Sequence, residues 1–381
     1  MFLYILIFVF VLSLNYVSIS SVKMQNKMLL ISISLLALFV GFGDMLGGFD
    51  RYVYGFYFDE LADVVRSGGH VTESLIWDSY RSEFGYVLTN YLITFVTANR
   101  YIFIFILTII IYFLLYKSFK LYINDYPIGL VIFMGLLFFF TFTYLRQVIG
   151  VMLAWLSVKA VYERKLRRFL LFIFLAFSMH NSAIIFLPVY WIPIKKFSRN
   201  TVYVVMVICL VLGLTGLPGN LFDVYGDVSG DAERLAHYAD IDESGFRVAY
   251  IMEAVVFLFF IMRNYRLIQN DPKRIVLLNI SLMFCAILLV FVKSENGGRL
   301  AWYYMIGIIS TLTYLTTLTR QRIYHTSVIT LMCILFMRIL LQWNMLIYPY
   351  KTFLTNGHRD GDRTYEANEY DTRYDNDKFY R

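Results

Sequence analysis

The stretch Tyr144-Leu-Arg-Gln-Val-Ile-Gly-Val151 leads through the basic loop Glu163-Arg-Lys-Leu-Arg-Arg168 to Met179-His-Asn-Ser-Ala-Ile-Ile-Phe-Leu-Pro188. Arg146 stands at the mouth of one apolar helix, and His180 lies inside a second apolar run. Polar groups are expensive in hydrocarbon, so they face a protein interior or a water-filled cavity. An arginine and a histidine about half a helical hairpin apart point to a site that handles an anionic substrate at a membrane.

The rest of the chain agrees with a membrane setting. Only 16% of its 381 residues are charged, against roughly 25% in a soluble domain, and mean hydropathy is +0.62. The expected class is therefore an all-α polytopic membrane protein. Aromatic residues reach 19%, a supply suited to interfacial belts and to sugar-stacking surfaces. The net charge of +7 sits in short clusters between apolar runs, which fits the positive-inside rule and argues against nucleic acid as a partner. Cys209, Cys285 and Cys333 lie within apolar segments and read as small buried hydrophobes, with no metal or disulfide spacing. The first apolar run, from Phe2, has no basic region before it and no small-residue cleavage site, so it reads as a retained span.

About ten spanning helices are expected, over Phe2–Ser20, Met28–Leu46, Tyr101–Tyr116, Ile128–Tyr144, Leu145–Tyr162, Thr201–Leu217, Val248–Met262, Ile275–Val292, Ala301–Leu318 and Thr326–Leu346. Two further segments do not fit. Phe84–Ala98 is short against the ~20 residues a spanning helix needs. Arg168–Pro193 is long enough, but His180-Asn181-Ser182 interrupts it and both flanks are basic. If the clusters Lys23/Lys27, Lys117/Lys120, Arg164–Arg168, Lys195/Lys196/Arg199, Arg263–Arg274 and Arg320/Arg322 all lie inside, neither segment crosses. Both are then re-entrant or half-membrane elements, tolerated where they line a cavity. The same parity puts the loops 47–83 and 218–247 outside. One integral-membrane domain, 1–350, is followed by a polar tail, 351–381, that has almost no aliphatics and reads as poorly ordered.

Several groups are able to carry chemistry, each with a plainer alternative. Arg146 suits bidentate grip of a phosphate, or it snorkels to lipid headgroups. His180, at the tip of the re-entrant element, suits a general base or a donor to a phosphoryl oxygen; otherwise it is a satisfied polar corner. Glu295-Asn-Gly-Gly-Arg299 precedes Ala301-Trp-Tyr-Tyr304, so Arg299 meets an aromatic platform fit for pyrophosphate or sugar, or the turn is a plain hairpin. Arg338, deep in an apolar run, needs a partner or a cavity; Glu253 and Asp44 are candidates for an ion pair. The tyrosine-rich loop with Asp59 and Glu83 suits sugar hydroxyls and an acceptor base, or is simply a solvated acidic loop. No nucleotide loop and no zinc motif is present, so no cofactor and no metal is expected, and any driving force must reside in the substrate.

Taken in order, these pieces resemble a known family. The acidic, tyrosine-rich first loop precedes Glu83-Phe-Gly-Tyr-Val-Leu-Thr-Asn90, Leu145-Arg-Gln-Val-Ile-Gly150, Phe177-Ser-Met-His180-Asn-Ser-Ala-Ile-Ile, Arg299 before Tyr303-Tyr304, and Pro349-Tyr350. The chain up to about Tyr350 resembles the EpsG family of Wzy-like polysaccharide polymerases. Phe84 stands where the family often has proline, and Gly150 where alanine is common; both swaps leave the charged groups alone. The resemblance implies a glycosyltransferase of the bacterial cytoplasmic membrane, with its active site on the external face. It would polymerise undecaprenyl-pyrophosphate-linked oligosaccharide repeats into an O-antigen, capsule or exopolysaccharide, alongside a flippase and a chain-length regulator. Arg146, Arg299 and Arg338 would hold the pyrophosphate, Tyr303, Tyr304 and Asp59 the sugar, and His180 or Glu83 would act as base, His180 ranked first by position. A lipid-linked-oligosaccharide flippase shares the span count and buried arginines, but no two related halves are visible. A ligase moving finished polymer is chemically close.

Overall fold

The computed structural model describes residues 1–17, 22–218, 247–294, 297–319 and 321–381, and all regular elements among them are helical. Most of the expected external loop 218–247, with Glu295, Asn296 and Arg320, lies outside the described residues. The helices are α1 (Phe2–Val17), α2 (Val22–Gly41), α3 (Phe49–Arg66), α4 (Leu75–Tyr80), α5 (Phe84–Thr94), α6 (Arg100–Tyr122), α7 (Tyr126–Leu136) and α8 (Leu145–Tyr162). They continue with α9 (Leu166–Met179), α10 (Arg199–Thr215), α11 (Val248–Arg263), α12 (Pro272–Val290), α13 (Gly297–Ala301), α14 (Met305–Leu318) and α15 (Arg322–Gln342). Polar caps start the apolar runs. Asn99 accepts from the amides of Tyr101 and Ile102, Asp125 from Ile128, and Asp271 from Lys273 and Arg274. Pro127 and Pro272 occupy first turns, where a missing N–H costs nothing.

Among the described residues, five helices are long and apolar enough to cross a bilayer: Met24–Gly41, Arg100–Tyr122, Leu145–Tyr162, Pro272–Val290 and Arg322–Gln342. The protein is thus an α-helical multi-pass membrane protein, but the expected count of about ten full-length spans is not supported. The other expected spans form shorter helices of 11 to 17 residues. Ile128–Tyr144 is not one helix. It breaks after Leu136 into a 3-10 turn, Phe138–Phe142, in which the Thr141 hydroxyl bonds to the Phe138 carbonyl (2.6 Å) and to Tyr112 (3.0 Å). Ala301–Leu318 also splits, because a tight turn at Trp302–Tyr304 separates α13 from α14.

Glycines set the closest crossings. A Cβ on Gly213 of α10 would fall 2.0 Å from the Leu289 carbonyl oxygen, and one on Gly307 of α14 would fall 2.4 Å from the Ser281 amide, both on α12. Small residues let helix backbones approach where no water drives association. Arg51, fully buried at the start of α3, ties the end of α2 to the end of the Phe138–Phe142 turn. It donates to the carbonyls of Phe142 (2.5 Å), Gly43 (3.0 Å) and Val40 (3.2 Å).

The segment from α9 onward is a hairpin that returns to the end it left. After Met179 the chain turns extended at His180 and runs back as a 3-10 helix, Asn181–Trp191. Arg164 donates to the Tyr190 carbonyl at 2.7 Å, and the Phe169 and Tyr190 rings lie 5.2 Å apart, so entry and exit sit together. An eleven-residue 3-10 run is unusual and marks a special site. Its tip, His180, lies level with Gly150 of α8: a Cβ on Gly150 would be 3.6 Å from that of His180.

Two poles result. The far ends of α6 and α8 meet where Tyr122 accepts from the Lys159 amide (2.9 Å), and Arg199 and Lys196 bond to Met262 and Ile268 (3.0 and 2.8 Å). The other pole holds α3, His180 and the polar tail. That tail, expected as poorly ordered, is instead folded onto α3 and the start of α6. It has almost no aliphatics but builds its contact from ion pairs and tyrosines. Lys378 reaches Asp44 (3.0 Å) and Tyr101 (3.0 Å), and Arg100 pairs with Glu369 (2.5 Å) beneath the Tyr374 ring (3.9 Å). Tyr370 and Tyr374 donate to Asp59, and Arg381 to Asp63.

Candidate active site at the hairpin tip

Four chain segments deliver polar side chains to one place: the start of α5, the start of α8, the tip of the hairpin and the turn before α14. Glu83, 4% exposed, is the hub. One carboxylate oxygen binds the Arg146 guanidinium, and the other accepts from the Asn181 amide at 3.1 Å. His180 Nδ1 lies 3.9 Å from that second oxygen, close enough for ion pairing once the ring is protonated. α5 is held against α9 to make this possible. Gly85 faces Ser178 so tightly that a Cβ would lie 3.0 Å from the Ser178 carbonyl oxygen, and the Phe84 and Phe174 rings lie 5.5 Å apart.

Ser182 connects His180 to the rest. Its hydroxyl lies 2.8 Å from His180 Nδ1 and 3.0 Å from the Tyr303 hydroxyl, and its amide donates to Nδ1 at 3.3 Å. Trp155 fixes the Tyr303 backbone by donating to its carbonyl at 3.0 Å. Gln147 lies 3.4 Å from both the Ser182 hydroxyl and the Arg299 carbonyl. Arg146 is stacked on Tyr80 at 4.2 Å, with Tyr86 and Tyr54 at 5.3 and 5.7 Å. Its Nε is buried with no hydrogen-bond partner among the described residues.

Arg299 joins this cluster to a cavity of about 570 Å³ between α7, α11, α12 and α15. It stacks on Tyr144 at 4.3 Å and donates to that hydroxyl at 2.9 Å. The cavity also takes in Arg247, Arg338 and Glu253, with walls of Leu136, Phe284, Leu335 and Trp302. Arg338 therefore faces the cavity with Glu253 in its field, while Asp44, the other candidate partner, is engaged by Lys351 and Lys378.

Of the residues expected from sequence, Glu83, Arg146 and His180 meet directly, Tyr303 joins them through Ser182, and Arg299 adjoins them. Arg338 lies across the cavity. Tyr304 turns away and donates to the Ile185 carbonyl, which braces the returning hairpin. Asp59 is not brought in, because Tyr370 and Tyr374 occupy its carboxylate at 2.7 and 3.0 Å. Burial pushes its carboxyl up to about 6, against those hydrogen bonds and the Arg100 and Arg381 charges. Sequence reasoning missed Ser182, Gln147 and Arg247 as site groups. Asp50, in the first turn of α3, lies in the fields of Arg299 and Arg146; burial nonetheless raises its carboxyl above the ordinary range. The adjacency of Gln147 to Arg146 and of Ser182 to His180 was the signal available.

No curated protein and no solved structure matches the chain. The model of the EpsG family matches residues 26–352, which takes in every group of the hairpin-tip site and of the cavity. The chain belongs to the EpsG family, a family of Wzy-like polysaccharide polymerases.

Proposed function

We propose that the protein polymerises oligosaccharide repeat units carried on undecaprenyl pyrophosphate, at the pole that holds His180, on the external side of the bacterial cytoplasmic membrane. The observation that carries this reading is the convergence of Glu83, Arg146, His180, Ser182 and Tyr303 beside an arginine-lined cavity with apolar walls. An acceptor hydroxyl attacks the anomeric carbon of the growing chain, its C–O bond to pyrophosphate breaks, and undecaprenyl pyrophosphate leaves. Negative charge grows on the departing oxygens, and preorganised cations are commonly the largest catalytic contribution. Arg146 at the hairpin tip and Arg299 and Arg338 in the cavity fill that role, with Arg247 beside the latter two.

His180 takes the acceptor proton. Because the Ser182 amide donates to Nδ1, Nδ1 holds the lone pair and takes the proton through the Ser182 hydroxyl 2.8 Å away, and the Glu83 carboxylate 3.9 Å from it stabilises the imidazolium that forms. Glu83 itself is a positioning residue, since Arg146 and the Asn181 amide engage both its oxygens. Contact with the sugar is assigned to Asp50, which lies in the fields of Arg299 and Arg146, while the buried Tyr303 holds Ser182 in place. The product is a surface polysaccharide, and a flippase supplying the substrate and a chain-length regulator are its expected companions.

The test is a deletion strain complemented with His180→Gln, read on a gel of surface polysaccharide with membrane protein levels checked in parallel. The expected result is collapse of the ladder to a single repeat unit at unchanged protein level, a loss of about 10²–10⁴ in rate. Normal-length polymer from His180→Gln would remove the base role. Loss of even the single-unit band in the deletion strain would point to a flippase or ligase instead.

A further inference from the structure

At the pole opposite His180, two hollows lie side by side. One, of about 530 Å³, is lined by Lys195, Lys196, Arg199 and Arg266 together with Phe197 and Tyr265, and no acidic residue lines it. The other, of about 180 Å³, is an apolar groove along α10 and α12 whose walls include Ile192, Val205, Met206, Leu282 and Met283. Phe197 lines both, so the cationic cleft and the furrow adjoin.

The cleft is built from the backbone up. Lys196 Nζ donates to the Ile268 carbonyl at 2.8 Å, Arg199 Nη2 to Met262 at 3.0 Å, and the Tyr265 hydroxyl to Phe197 at 2.8 Å. Asn279 of α12 ties the Pro193 carbonyl at 3.1 Å. These bonds hold cations close together with no counter-charge among the lining residues. Arg199 Nε is buried with no hydrogen-bond partner among the described residues. Burial, helped by the Arg199 charge, also lowers the proton affinity of Lys196. Like charges in one hollow repel, and an anion at their centre relieves both the repulsion and the unsatisfied donor.

We infer that this pair of hollows binds one anionic phospholipid, its phosphate among Lys195, Arg199 and Arg266 and one acyl chain along the α10–α12 groove. The groove separates this from a free-phosphate site, since inorganic phosphate has nothing to place there. The lack of any lining carboxylate separates it from a site for a zwitterionic lipid, whose ammonium would meet only cations. The site uses none of the residues assigned to polymerisation.

The protein, purified in a nonionic detergent, is titrated with phosphatidylglycerol, phosphatidylcholine or inorganic phosphate and followed by native mass spectrometry and thermal unfolding. Phosphatidylglycerol is expected to bind saturably at one copy and to raise the Tm, the other two not. The double substitution Lys195→Gln/Arg266→Gln removes two exposed charges and should weaken phosphatidylglycerol roughly 30-fold. Met206→Trp, which fills the groove, should weaken it while leaving the cationic cleft intact. Equal stabilisation by phosphatidylcholine or by inorganic phosphate overturns the inference, as does phosphatidylglycerol binding unchanged in both variants.

Discussion

The ion pair between Glu83 and Arg146 shows why a single side chain in this site is difficult to remove cleanly. Glu83 is nearly inaccessible, so Arg146→Ala leaves a buried carboxylate without its cation, a loss of about 3–5 kcal/mol. A double-mutant cycle with Glu83→Gln and Arg146→Met should recover most of that stability in thermal unfolding, while polymer stays absent. Additive losses would show that the pair is not coupled. The residues that sequence reasoning could find are those whose cost betrays them: a histidine, an arginine and a glutamate next to apolar runs. Ser182 and Gln147 carry no such cost, and only the returning hairpin reveals that they connect His180 to Tyr303 and Arg299. Asp59 misled because its use depends on tyrosines about 311 residues later in the chain.

At the scale of elements, the hairpin α9–Trp191 was legible through charge: basic residues at both flanks and a polar interruption midway. The break inside Ile128–Tyr144 was not, because the run is uniformly apolar and its turn is made by contacts with Tyr112 and α15. Crossing glycines give a sharper check. Gly307→Ala puts a methyl against the α12 backbone, with Ser281 N at 2.4 Å and the Ile280 carbonyl carbon at 2.7 Å, and neither is free to rotate away. It should cost about 1–3 kcal/mol, seen as a lower Tm in detergent. Gly85→Ala should act locally, prying α5 from Ser178 and lowering polymer yield more than overall stability. If Gly85→Ala leaves yield unchanged, the position of Glu83 does not depend on that crossing.

For the molecule as a whole, the folded tail turns the His180 pole into a layered surface, which composition could not foretell because its adhesion is polar. Asp59 offers a handle on it. Its folded-state pKa, about 6, lies above the ordinary carboxyl value, so the docked form holds the proton more tightly than the undocked one. That contribution is fully present below about pH 4 and is lost as pH rises through about 6, by as much as about 3 kcal/mol. The difference in Tm between wild type and Asp59→Asn should therefore widen in favour of the variant from pH 4 to 7; a constant difference would show that Asp59 does not titrate there. The basic clusters at the opposite pole were legible as a set because they repeat between apolar runs.

Arg51 adds a consequence in time. Its guanidinium is satisfied by Val40 and Gly43, already made, and by Phe142, made 91 residues later. At about 5–20 residues per second the ribosome reaches Phe142 roughly 5–20 s after Arg51. Until then Arg51, at the start of α3, has only the Val40 and Gly43 carbonyls among its three partners. The junction of α2 and α3 is therefore completed only once the end of the Phe138–Phe142 turn has been made.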